Sequence, residues 1–136
     1  MSHSLEFAHR HFYEFSKHIT VPVTLMSSRS RWADAVVAVD TGSTFCVFDR
    51  TYGETLGLDV ESGFEQRITT ATGSFYCYGH EVTIVVFGLE WQAVVYFAEA
   101  DAFSLNVLGR VGFLDRLKVG IVDYEQLLYL GLYNEP

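Results

Sequence analysis

Residues 37–45 read VAVDTGSTF, an apolar run that ends on one carboxylate, Asp40, and continues at once into Thr41, Gly42 and Ser43. A carboxylate that closes a buried strand has to be solvated, neutral or paired. The residues that follow supply that service. Gly42 lets the backbone turn sharply, and Thr41 and Ser43 bring hydroxyls and amides close to the Asp40 oxygens. The stretch therefore reads as a carboxylate held in place for use. Taken alone, it fits a plain strand-end turn as well, where Asp and Gly are common for local reasons.

Working outward, the chain follows a two-residue period or short β-branched runs, the strand signal. Ile19 to Leu25, a polar turn at Ser27 to Arg31 and a strand from Trp32 to Val39 form a hairpin that delivers Asp40. Pro22 marks the first of these strands as an edge or a bulge. Beyond Ser43 a short apolar stretch, TFCVF, leads into DRTYGETLGL, where Asp49 caps a short helix with Leu56 and Leu58 facing inward. Residues 67–88 read as two extended segments joined at Ala71-Thr72-Gly73-Ser74, a hairpin turn chemistry. The strands EVTIVVF and WQAVVYFA follow, linked by Gly88-Leu89-Glu90. From residue 105 the chain begins as a strand, turns at Gly109, forms a helical turn over Phe113 to Leu117 and returns to strand. Residues 1–18 are an N-terminal arm with a first strand in HFYEF, and 19–136 form one mainly β domain.

Composition limits the partners. The chain has 136 residues, 49% of them apolar and only two prolines, which suits one globular domain. Nine basic against 17 acidic residues give a net charge of -8, and no basic stripe offsets it, so nucleic acid is not expected as a partner. Cys46 and Cys77 lack a disulfide framework or metal-ligand spacing and read as reduced thiols. The amino terminus has charges where a signal peptide needs an apolar core, and no apolar run reaches the ~18 residues of a membrane span. These features place the chain in the cytoplasm, away from membranes.

At this point the sequence resembles a known family. Ala38-Val39-Asp40-Thr41-Gly42-Ser43 has the form of the aspartic peptidase active-site signature. The turn from Ala71 to Phe75 occupies the place of the flap that closes over substrate. Val107-Leu108-Gly109-Arg110 is similar to the apolar-apolar-Gly element that crosses behind the catalytic loop. With a single Asp-Thr-Gly, the resemblance is to the retropepsins and their bacterial single-domain relatives, over roughly residues 19–130.

The resemblance implies an all-β, retropepsin-like closed barrel with a flap hairpin and one or two short helices. It further implies a homodimeric aspartic endopeptidase, without metal or organic cofactor, that acts on peptide or protein substrates. Asp40 is then the catalytic residue, paired with Asp40 of a second copy. Thr41 bonds across the two-fold axis, Gly42 offers its carbonyl to substrate, and Ser43 donates its hydroxyl to the outer oxygen of Asp40, favouring the ionised form and an acidic optimum. Thr72, Gly73, Ser74 and Phe75 form the flap and bind substrate, with Val47, Phe75 and Val107 supplying apolar subsites. Either Phe75 or Tyr76 points into the cleft. Leu108, Gly109 and Arg110 support the site from behind. Retroviral enzymes often carry an acidic residue where this chain has Thr44, so Arg110 needs another partner, and the flap tip has a single glycine. The rival reading is a non-catalytic binding or dimerisation module of the same fold. Asp34, Asp49, Asp101 and Asp123 read as solvated surface charges, and His3, His9, His11 and His18 as a flexible, solvated arm rather than a metal site.

Overall fold

The computed structural model describes residues 1–14, 18–100 and 106–135; Asp101 lies outside them. The hairpin that carries Asp40 is formed by β2 (Thr20–Met26) and β3 (Trp32–Val39), antiparallel with Thr20 opposite Ala38 and Met26 opposite Trp32. Alternation buries Val21, Val23 and Leu25 on one strand and Ala33, Ala35 and Val37 on the other. Pro22 is exposed, and the second partner of β2 engages only Thr24–Met26, so the proline sits on the unpaired part of that edge.

After β4 (Val47–Phe48), Asp49 caps α1 (Arg50–Thr55) by accepting the Thr51 amide at 2.9 Å. Leu56 is fully buried and Leu58 packs on the core, as the sequence predicts. The hairpin of β5 (Phe64–Thr70) and β6 (Gly73–Val86) turns through Ala71 and Thr72. Here the expectation of separate segments is corrected, because β6 runs unbroken from the flap tip through Gly79 into EVTIVV. The next turn is Phe87-Gly88, with φ of 50° and 80°, so Leu89 and Glu90 already belong to β7 (Leu89–Ala98). Two left-handed residues in a two-residue loop match the natural twist of a hairpin.

The strands close on themselves. With β8 (Val107–Leu108) included, the order is β2-β3-β8-β4-β7-β6, and β6 pairs again with β2, while β5 extends beyond β6 as the flap's outer strand. Both β3–β8 and β4–β7 are parallel pairs, which no local hairpin produces. The barrel interior is filled by Phe48, Phe97, Phe113, Leu25, Ile84 and Leu108, and a small separate cluster forms around Ala38, Val47 and Val107. Cys46 and Cys77 are unpaired and buried, and burial pushes both thiols up to about 12, which keeps them protonated.

The last segment departs from the single returning strand expected for it. It folds as a hairpin of β9 (Leu117–Val122) and β10 (Leu127–Leu132), and β1 (His9–Phe12) pairs with β10 to complete a three-stranded sheet. The arm is thus docked where the sequence suggests a flexible, solvated one. His9 stacks on Phe87 with ring centroids 4.1 Å apart, and His11 bonds the Thr20 carbonyl at 3.1 Å. Among the described residues no group of three His, Cys, Asp or Glu side chains is placed to hold a metal ion, and no helix is long and apolar enough to cross a membrane.

Candidate active site

β3 ends at Val39, and its neighbour β8 holds the start of the following loop. The Ala38 amide donates to the Asn106 carbonyl at 3.1 Å and the Asp40 amide to the Leu108 carbonyl at 2.9 Å. The chain from Gly109 then passes directly behind residues 43–45. The Arg110 amide donates to the Ser43 carbonyl and the Val111 amide to the Thr44 carbonyl, each at 2.8 Å. A Cβ at position 109 would stand 2.4 Å from the Phe45 carbonyl oxygen and 2.6 Å from that of Ser43, so only glycine fits. Residues 108–111 therefore hold the Asp40 loop from behind as a brace.

Within the loop, the Gly42 amide donates to Asp40 Oδ1 at 2.9 Å and the Ser43 amide to the Asp40 carbonyl at 3.1 Å. These bonds tie the carboxylate to its own turn while leaving it exposed at the surface, beside an exposed Thr41. The Ser43 hydroxyl does not reach Asp40. It donates to the Phe45 carbonyl at 2.9 Å, and its one proton cannot serve both acceptors. Ser43→Ala is accordingly expected to cost about 1 kcal/mol of stability through the lost loop bond. The acidic limb of the pH profile of kcat/KM should stay in place, because no donor to the carboxylate is removed. An upward displacement of that limb would show that the hydroxyl serves Asp40 in the working enzyme.

The flap lies over this loop. Gly73 opens β6 with φ of 145°, Thr70 Oγ1 donates to the Gly73 carbonyl at 3.1 Å, and the hydroxyls of Thr69 and Ser74 bond across the strands at 3.1 Å. Thr72 stands in the turn itself. Phe75, opposite Ile68, packs toward Ala38, Val47 and Val107, whereas Tyr76 faces the other way and is exposed. A cleft of about 400 Å³ lies between residues 40–45 and the flap, lined by Asp40, Gly42, Ser43 and Phe45 on one side and Ile68 and Thr70 on the other. Sequence reading placed the flap's contribution in β6. It missed the β5 residues, Arg67 among them, and also Phe45, which lines the cleft and meets Tyr96 edge-on behind it. Alternation along β5 carried a signal for Ile68; for Tyr96 there was none, because its place depends on a strand pairing.

A family model described as aspartyl protease matches residues 33–111, which hold the Asp40 loop, the flap and the Gly109 brace. The chain belongs to the aspartyl protease family. Among solved structures, the retropepsin-like aspartic protease from Rickettsia conorii matches with 18% identity and a TM-score of 0.65, over 90% of this chain and 96% of that one. EIAV protease, solved in complex with the inhibitor HBY-793, matches with 22% identity and a TM-score of 0.55, over 72% of this chain and 86% of that one. Both share the retropepsin-like fold. None of the curated proteins compared matches this chain.

On the far side of the loop, Thr41, Thr44, Arg110, Val111, Leu114 and Asp115 line a second groove of about 570 Å³. Arg110 is exposed and has no ion-pair partner among the described residues, and Val111 is 48% exposed. The Asp40 loop of this aspartyl protease is thus flanked by a groove on each side, one beneath the flap and one beside Arg110.

Proposed function

We propose that this aspartyl protease is a homodimeric endopeptidase in which Asp40 of each of two copies supplies one half of the catalytic pair. What carries the reading is Asp40 itself. It stands exposed with Thr41 at the open side of a loop that is braced from behind and roofed by a flap. One carboxylate cannot act as acid and base at once. Two of them ~3 Å apart cannot both ionise, so they share a proton. The ionised member takes a proton from a water, and the resulting hydroxide attacks the scissile carbonyl carbon. The protonated member donates to the carbonyl oxygen, giving a tetrahedral diol that collapses as the amine leaves with a proton.

In this reading the Thr41 hydroxyl bonds across the two-fold axis, Gly42 offers its carbonyl to the substrate backbone, and Thr72 to Phe75 close over it. An extended peptide fits as an added strand between residues 42–45 and the flap. Phe45 and Ile68, which line the cleft and pack on the apolar cluster of Ala38, Val47 and Val107, favour bulky apolar side chains beside the scissile bond. Residues 19–136 form the peptidase domain, to which residues 1–18 add β1. A cytoplasmic setting suits the two unpaired thiols.

Specific activity on a peptide library should rise with protein concentration and level off where sedimentation shows the dimer saturating. Activity strictly proportional to protein down to concentrations at which only monomer sediments would overturn the shared site.

A further inference from the structure

Among the described residues β5 has one partner, β6, so its other edge is free. Four consecutive β5 residues, Arg67 to Thr70, line the cleft together with Asp40 and Phe45. Side chains alternate between the two faces of a strand, so four in a row mean that the cleft runs along the free edge itself. Ile68 turns to the apolar cluster of Ala38, Val47 and Val107. Arg67 and Thr69 take the opposite, exposed face, where Arg67 stands across from Tyr76 and the Thr69 hydroxyl bonds that of Ser74. Besides Asp40, Arg67 is the one charged residue lining the cleft among the described residues. Its guanidinium forms no ion pair among them, neither with Asp40 nor with Glu65, two residues earlier on the same face. Arg50, by contrast, is paired with Glu54 and Glu61. A chain of 17 acidic and nine basic residues thus keeps an unpaired cation in this cleft.

We infer that Arg67 sets specificity by pairing with an acidic side chain, Glu or Asp, of the bound peptide. This rests on the peptidase reading above. A peptide added as a strand along the free edge of β5 places alternate side chains on the face that carries Arg67, and opposite charges facing each other on neighbouring strands stabilise the pairing. The planar guanidinium can hold a carboxylate through two parallel N–H bonds. Lys or Arg at that position would meet a like charge. Arg67 lies three residues, roughly 10 Å at the rise of a strand, down β5 from Thr70 at the flap tip. The acidic residue therefore belongs at a position away from those under the tip, and the substrate class is a peptide with bulky apolar residues beside the scissile bond and a carboxylate farther along.

The test compares the wild type with Arg67→Gln and Arg67→Glu. The side chain is exposed and has no internal ion pair, so both variants should fold, which melting curves check. Peptides scanned at each position with Glu, Gln or Lys are used as substrates, and their uncleavable reduced-amide analogues as ligands. At low ionic strength the wild type should favour Glu over Gln at one position by about threefold to fivefold in kcat/KM and in Kd, a ratio that shrinks as salt screens the pair. Arg67→Gln should bring that ratio to about one, and Arg67→Glu should turn the preference toward Lys. Superimposed profiles for wild type and Arg67→Gln, or a wild type indifferent between Glu and Gln at every position, would overturn the inference. If the analogues are discriminated through Arg67 but no peptide is cut, the specificity stands and the peptidase reading falls.

Discussion

Asp40→Asn is expected to leave the fold intact and to abolish hydrolysis. The side chain is exposed, and an Asn oxygen can still accept the Gly42 amide that Asp40 Oδ1 accepts at 2.9 Å. Stability should therefore move by no more than about 0.5 kcal/mol. The chemistry has no such substitute. An amide neither takes a proton from water nor gives one to the carbonyl oxygen, and positioned acid–base catalysis is worth roughly 10² to 10⁴ in rate. With both halves of the pair replaced, kcat/KM should fall at least about 10³-fold. Thermal unfolding followed by circular dichroism, beside peptide hydrolysis, checks both parts. An unchanged melting curve together with a rate loss under tenfold would remove Asp40 from the chemistry.

Gly109→Ala is expected to have the opposite profile, a loss of stability that carries activity with it. The added methyl would meet two backbone carbonyl oxygens, those of Phe45 and Ser43, at 2.4 and 2.6 Å, and neither can swing aside as a side chain would. The brace and the Asp40 loop have to separate, which strains the Arg110–Ser43 and Val111–Thr44 bonds. Overpacking of this kind costs about 3 kcal/mol, or roughly 10 °C in Tm for a domain of this size. The contrast with Gly73 is instructive, since no atom lies within 4 Å of a Cβ added there and only backbone strain opposes it. A Gly109→Ala protein that melts with the wild type would show that the two segments are not in contact.

Local signals made much of this architecture legible. The β2–β3 hairpin, the Asp49 cap and the Thr72-Gly73 flap tip each follow from neighbouring residues, and all three stand where the sequence puts them. What depended on distant partners was not readable. Barrel closure through β2–β6 and the parallel β3–β8 and β4–β7 pairs leave no mark in any one segment, and only the family resemblance pointed to them. Gly79 within the unbroken β6 leaves room for the Tyr96 ring of the neighbouring strand, a need that only the β6–β7 pairing makes visible. The β9–β10 turn was hidden because Gln126, not glycine or asparagine, takes its left-handed position at φ of 59°. At the site, the loop itself was legible in Asp40, Thr41 and Gly42. The acceptor of the Ser43 hydroxyl was not, because it is a backbone atom whose position the brace determines.

Whether two chains share one active site can be measured by mixing. Wild type and Asp40→Asn protein, combined in equal amounts at fixed total concentration and allowed to exchange subunits, form mixed dimers with a single ionisable Asp40. If both carboxylates are required, only dimers of two wild-type copies work, and activity should settle at about one quarter of the all-wild-type value. A linear response, settling at about one half, would mean that each chain works alone and would contradict the shared pair.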